Sequence, residues 1–210
     1  METTRRAAGF GLLAYGIGTP VAFMSIGSPG GNYSDPTIAT YMSSGHWASA
    51  IALAYMGAFA ALGLLVFANR MRHELPSAGD LLWGLAVAGT AAAVIGWFLA
   101  GGIAVAFAEG GQPLTSISHP VVYVVSEMSN LIAVCSSAFF VGAAALVLAA
   151  KAALPRWLRV ASYVAGTCGL LAAFFFPIFL FWLWAITFGI WAVTADARAT
   201  QRATAQTQPA

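Results

Sequence analysis

Charge is scarce in this chain. Asp, Glu, Lys and Arg together make up 8% of its 210 residues, whereas hydrophobic residues make up 60%, and the mean hydropathy is +0.81. Soluble domains average about 45–50% apolar residues, so the sequence excludes a water-soluble globule and predicts an integral membrane protein. The nine basic and seven acidic residues leave a net charge of +2 and are scattered, which excludes a nucleic-acid-binding face. Cysteine is nearly absent: Cys135 and Cys168 are the only two. Both fall within apolar runs instead of loops, so no disulfide framework is expected. The single lysine, Lys151, stands at the end of an apolar run, and a retinal chromophore would need a lysine inside one.

Catalytic motifs are missing too. The chain has no H-E-x-x-H and no C-x-x-C-H, the local spacings that hold zinc or attach a haem covalently. The glycine-rich "SPGGNYSDP" at Ser28 to Pro36 lacks the lysine and following Ser/Thr of a phosphate-binding loop and reads as turns. No nucleophile, base and orienting group come together among sequence neighbours. A non-enzymatic protein is the expectation.

What the chain does have is long apolar runs. A hydrocarbon core about 30 Å thick needs about 20 apolar residues per helix, and four runs meet that length: Ala7 to Gly27, Trp47 to Ala68, Leu81 to Phe107 and Pro120 to Ala150. The last stretch, Val160 to Ala195, carries one aromatic block with Pro177 in "FFFPIF". Proline removes a helix hydrogen bond and crowds the preceding turn, so this stretch is read as two short spans. The opening "METTRR" and its apolar run resemble a signal peptide, but the run is too long and no A-x-A site follows; it is read as an uncleaved first span. The fold class expected is all-α, a polytopic bundle of six transmembrane helices.

Loop charges orient those spans. The basic residues are Arg5, Arg6, Arg70, Arg72, Lys151, Arg156, Arg159, Arg198 and Arg202, while segments 28–46 and 108–120 have none. With six spans all of them fall on one side, which the positive-inside rule makes cytoplasmic. Both termini are then cytoplasmic, the membrane is the plasma membrane, and three hairpins point outward. Residues 1–197 form one domain, and the polar, low-complexity residues 198–210 are expected to be a disordered tail. The link "NRMRHELPSAGD" reads as a solvated loop that holds His73 and ends in Asp80 as the N-cap of the third span. "VAGT" at Val87 to Thr90 and Val164 to Thr167, with Gly18 and Thr19 in the first span, fits either a repeated hairpin or the recurrence of small residues that let helices approach. Ala50, Ala54, Gly57 and Ala61 near one face of the second span favour close approach.

One stretch breaks the apolar monotony. "SISHPVVYVVSEMSN" (Ser116 to Asn130) opens the fourth span. At about 100° per residue, His119, Tyr123, Glu127, Asn130 and Ser137 fall within an arc of about 80°. Pro120 suits the first helical turn, with Ser118 or His119 as the cap. The helix exceeds the hydrocarbon thickness, so Glu127 is expected near the outer boundary. There its cost stays below the roughly 2.5–3.5 kcal/mol of an acid at the centre. An acid on a span is a functional candidate by default; an interhelical hydrogen bond is the plainer alternative.

The outer rim would hold Asp35, Glu109 and Glu127 with two histidines, His46 and His119, each opening an inward-running helix. Two imidazoles at similar depth suit a metal or a haem iron, so His46 and His119 are candidate metal ligands. They also suit the headgroup zone, where Trp47, Tyr41 and Tyr123 would anchor. The aromatic block from Phe174 to Trp184 reads as lipid-facing or core packing.

Two stretches, "YSDPTIATYMSSGHWASAIALAYMGAFAALGLLVFANRMRHEL" and "ALPRWLRVASYVAGTCGLLAAF", resemble a group of uncharacterised six-span membrane proteins of high-GC Gram-positive bacteria. The more specific part is Leu-Pro-Arg-Trp-Leu at Leu154 to Leu158; that group commonly continues with Gly, where Arg159 stands here. The resemblance implies the six-span fold and no chemistry.

Three functions of different class are consistent with these residues. The first is a non-enzymatic membrane protein that works by association, as an accessory subunit or a binder of lipid or a small apolar ligand between its helices. Its partners would be membrane lipids, a second copy or a larger membrane complex. The second is a proton-linked transporter or channel built on Glu127 with Asn130, Tyr123 and His119. The third is a redox protein holding haem or a metal through His46 and His119.

Overall fold

Long runs without Gly-Pro interruption fold locally, because in an apolar medium each backbone N–H must find its acceptor within the segment. The computed structural model of the chain describes residues 2–25, 47–75, 77–109, 119–174 and 177–207, and every regular element among them is helical. The helices are α1 (Glu2–Ser25), α2 (Trp47–Met71), α3 (Gly79–Glu109), α4 (His119–Lys151), α5 (Arg156–Leu170) and α6 (Pro177–Thr207), with 3₁₀ turns at Arg72–Glu74 and Ala172–Phe174. The expected break at Pro177 is present, and Pro177 takes the first position of α6, where its missing N–H costs nothing. Pro155, in extended conformation (φ −55°, ψ 147°), does the same work ahead of α5.

Five of the six, all but α5, are long and apolar enough to cross a membrane. α5 has 15 residues, about 22 Å at 1.5 Å per residue, less than a hydrocarbon core of about 30 Å. Asp80 is not the cap of α3. The Ala78 carbonyl accepts the Leu82 N–H at 3.0 Å, so Ala78 caps the helix and Asp80 sits in its first turn. Its charge still favours the helix there, because unpaired N–H groups make that end positive.

Each helix packs on its neighbours in sequence, and α6 returns to α1, so the six form a closed ring. Small residues set the spacing. Gly11 meets Gly63 between α1 and α2, Gly96 meets Ala133 between α3 and α4, and Gly9 meets Gly189 between α1 and α6. Between α4 and α5, Gly142 faces both Gly166 and Gly169. These contacts run in opposite residue order on each pair, so neighbours are antiparallel. The predicted face of α2 is buried, with Ala50, Ala54 and Ala61 at 1%, 1% and 0% exposure. The "VAGT" glycines do not behave as a repeat: Gly89 packs against the following helix, α4, whereas Gly166 packs against the preceding one, also α4.

The alternation brings Arg5, Arg6, Arg70, Arg72, Lys151, Arg156 and Arg159 to one end of the bundle. Arg5 clasps that end. It pairs with Glu74 through two hydrogen bonds of 3.0 and 2.9 Å, and its guanidinium lies over the Trp191 ring, 6.0 Å from the centroid. One side chain of α1 thus touches the α2–α3 link and α6. His73 in the same link is exposed, as the solvated-loop reading expected.

The α4–α5 seam gives a test by opposite signs. A Cβ on Gly142 would stand 2.8 Å from the Gly166 carbonyl oxygen and the Gly169 Cα, while one on Gly84 would meet nothing within 4 Å. Gly142→Ala is expected to lower stability in detergent by about 1–3 kcal/mol through overpacking. Gly84→Ala is expected to raise it by up to about 1 kcal/mol through helix propensity. Thermal unfolding followed by circular dichroism reads both; a Gly142→Ala protein as stable as wild type would contradict the packing described.

Candidate functional site

Across the middle of the ring, α1 meets α4 through one polar contact: the hydroxyls of Tyr15 and Ser137 lie 3.0 Å apart, both fully buried. Ser137 belongs to the polar arc predicted on α4. Ala133, Val134 and Val141, which fall around it on the helical wheel, are buried as well, so Ser137 lies on the face of α4 turned inward. The edge of the Tyr15 ring also packs against Phe181 of α6, with centroids 6.3 Å apart. Three helices therefore share this point.

One turn outward from Tyr15 the hydroxyl of Thr19 is fully buried and has no hydrogen-bond partner. That is unusual within this protein. Ser136, Ser162, Thr167, Thr187 and Thr194 each donate to a carbonyl four residues back, the common use of a hydroxyl inside a membrane helix. Thr19 precedes Pro20, which lies inside α1. A proline there has no N–H to give the carbonyl of Gly16 and crowds the preceding turn. A carbonyl acceptor and a hydroxyl are thus concentrated in one turn of α1.

Two indoles stand at the same depth with the same deficit. Trp97 Nε1 and Trp182 Nε1 are buried without partners. Their level follows from the packing. Gly18 abuts Ala60 while Gly57, three residues from Ala60, abuts the Trp97 ring, which puts Trp97 within about one helical turn of Thr19. Gly16 abuts Ala185, and Thr19 and Trp182 lie three residues outward from Gly16 and Ala185 on antiparallel helices. The ring of Trp182 also lies against Phe23 of α1, with centroids 6.0 Å apart. Trp97 is fully buried because Gly57 has no side chain to compete with it.

Chemically, the level offers two N–H donors and a hydroxyl. Among the described residues no charged side chain is buried, so the environment suits a neutral hydrogen-bond acceptor. Each donor left unmet costs about 1–3 kcal/mol. One turn outward on both helices, Ile51, Ala54, Tyr55, Phe98, Gly101, Gly102 and Val105 line a cleft of about 300 Å³ between α2 and α3. Tyr55 and Phe98 meet edge to face across it, with centroids 5.0 Å apart. The cleft is apolar and opens outward from the bundle beside Trp97.

The residues singled out from the sequence fare unevenly. Glu127 is on α4 and half-buried. His119, Tyr123 and Asn130 lie on the same helix, but their side chains are outside the described residues, and so is all of His46. Among the described residues no group of three or more His, Cys, Asp or Glu side chains converges. The Cys135 thiol donates to the Ala172 carbonyl at 3.2 Å, a contact of structural use that holds the α5–α6 turn on α4. Thr19 was noted only as part of a small-residue echo and Trp182 only within the aromatic block, and Trp97 was not singled out. Their signals were a threonine before an in-span proline and tryptophans away from the ends of their spans, where aromatic anchors normally gather.

The Tyr15–Ser137 contact is separable from the unmet donors by a double-mutant cycle. Tyr15→Phe and Ser137→Ala are each expected to destabilise, and the double variant to cost less than their sum by about 0.6–1.7 kcal/mol. Unfolding in mixed micelles measures this coupling, and strict additivity would mean that the two hydroxyls do not bond. Compared with known proteins, the chain matches no family model, no curated protein and no solved structure.

Proposed function

We propose that the chain is a non-enzymatic protein of the plasma membrane that binds a small apolar molecule between its helices, holding the molecule's hydrogen-bond-accepting end at the level of Thr19. The observation that carries this reading is the set of three buried, unpartnered polar groups, Thr19 Oγ1, Trp97 Nε1 and Trp182 Nε1. A bundle surrounded by lipid has no reason to keep donors unmet, because an unsatisfied group in hydrocarbon costs several kcal/mol. A carbonyl- or ether-bearing apolar ligand meets them without bringing a charge into the interior. The cleft beside Trp97, whose walls are small or aromatic residues, is its route from the lipid.

In this reading α5 and the 3₁₀ turn after it make the sixth crossing, and the basic end of the bundle faces the cytoplasm. What supports it is the antiparallel alternation of neighbours together with the basic residues gathered at one end.

The test is a change of sign. Thr19→Val removes the hydroxyl and keeps the shape. In protein stripped by extensive detergent exchange the variant should be more stable than wild type, since a group with no partner has been deleted. In protein extracted gently with its ligand it should be less stable. Native mass spectrometry of the gently extracted protein should show an adduct in wild type that Thr19→Val and Trp97→Phe both lose. The same sign of effect in both preparations, with a bare wild-type mass, would sink the reading.

A further inference from the structure

A second, independent feature lies at the basic end of the bundle, on the opposite side of the ring from the cleft beside Trp97. A groove of about 500 Å³ runs between the start of α5 and the inner half of α6, lined by Pro155, Trp157, Thr187, Ile190, Trp191 and Thr194. We propose that it is a binding site for one acidic phospholipid of the adjoining leaflet.

The groove exists because α5 and α6 part company. Their contact is the least extensive between sequence neighbours in the ring. The hydrogen bond joining them, from Trp184 Nε1 to Ser162 Oγ at 2.9 Å, lies deeper in the bundle. Toward the basic end from that bond Trp157 of α5 and Trp191 of α6 line the gap between the helices. From Thr187 to Thr194 the wall is seven residues long, about 10 Å along the axis, enough for the upper part of an acyl chain. The hydroxyls of Thr187 and Thr194 already donate to the carbonyls of Leu183 and Ile190, at 2.7 and 2.9 Å. They leave no donor for a headgroup, so the walls serve the apolar portion.

Charge selects the occupant. Arg156 sits between Pro155 and Trp157 in sequence and is exposed, placing a cation on the rim. Arg5 also lies at this rim, its guanidinium over the Trp191 ring, but the Glu74 carboxylate offsets its charge, so Arg156 is the cation that selects. No side chain caps α5; its first-turn N–H groups add positive potential at the same rim, though they do not define the site. A groove of mixed apolar and polar lining, with indole walls and a cation at its rim, matches the chemistry of an anionic glycerophospholipid. Arg and Trp at the interface are the side chains that hold such headgroups. Trp157, 52% exposed, would then be covered by lipid.

The experiment compares lipid retention by native mass spectrometry on the full chain, with phosphatidylglycerol or phosphatidylcholine added to the detergent-solubilised protein. One phosphatidylglycerol should survive activation that strips phosphatidylcholine. Arg156→Gln should weaken its retention by about fivefold, the effect of one interfacial arginine, and Trp157→Ala should weaken it by a comparable amount. Arg70→Gln is the control, an exposed cation at the same end of the bundle but on α2, across the ring from the groove; it should retain the lipid as wild type does. Equal retention of the two lipids, equal loss in Arg156→Gln and Arg70→Gln, or a second copy of the chain instead of lipid would each overturn the proposal. Loss of the interior adduct in Thr19→Val without loss of phosphatidylglycerol would separate this site from the interior one.

Discussion

Close approach of helix backbones is the constraint on which the rest of this structure depends. Lipid tails are as apolar as leucine, so burying leucine between helices gains little, and association rests on van der Waals contact and the occasional hydrogen bond. Gly9, Gly11, Gly63, Gly142, Gly166, Gly169 and Gly189 provide that contact by bringing main chains together without intervening side chains. Large residues enter the thin interior that results where they pack against other rings, as Tyr15, Phe181 and Phe188 do, or where a glycine opposite makes room. Trp97 over Gly57 is such a case.

A thin interior also concentrates the consequences of polarity. Hydroxyls along the outer faces turn back on their own helix and cost little. Tyr15 and Ser137 find one another across the bundle centre. Thr19, beside Pro20, does neither. The difference between these three outcomes is position and backbone geometry, since the chemical group is nearly the same. The interior site and the basic-end groove therefore have different physical origins: one comes from donors packed too tightly to be met, the other from two helices packed too loosely to close.

Much of the architecture was legible in the sequence. Apolar run length placed α2, α3 and α4 to within three residues at each end, Pro177 marked the break before α6, and the alanine face of α2 pointed to its buried side; α6 runs twelve residues past the Ala195 at which its apolar run ends. Those features depend on local composition and period, which a sequence carries in full. Asp80 misled by two residues, because the cap was the unremarkable Ala78, followed by Gly79 packed close against the Arg72 carbonyl. The site was harder to read. Of the polar arc on α4, Ser137 lies on the inward face, and its partner is 122 residues away in sequence; periodicity along one helix cannot name a partner on another. Glu127 drew attention because it is charged, whereas the unmet groups are uncharged and hide among ordinary core residues.

The ring closes between α1 and α6, the helices farthest apart in sequence. A membrane chain is threaded into the bilayer as it is synthesised, so α1 waits through the insertion of four other helices before its last neighbour arrives. During that interval the surface of α1 that will meet α6, with Gly9 and Gly16 on it, lies open to lipid or to the insertion machinery. Thr19 and Pro20 mark the same helix as the one least able to satisfy itself. Of the contacts that α1 makes, the one with α6 can form only after the helices between them have been synthesised.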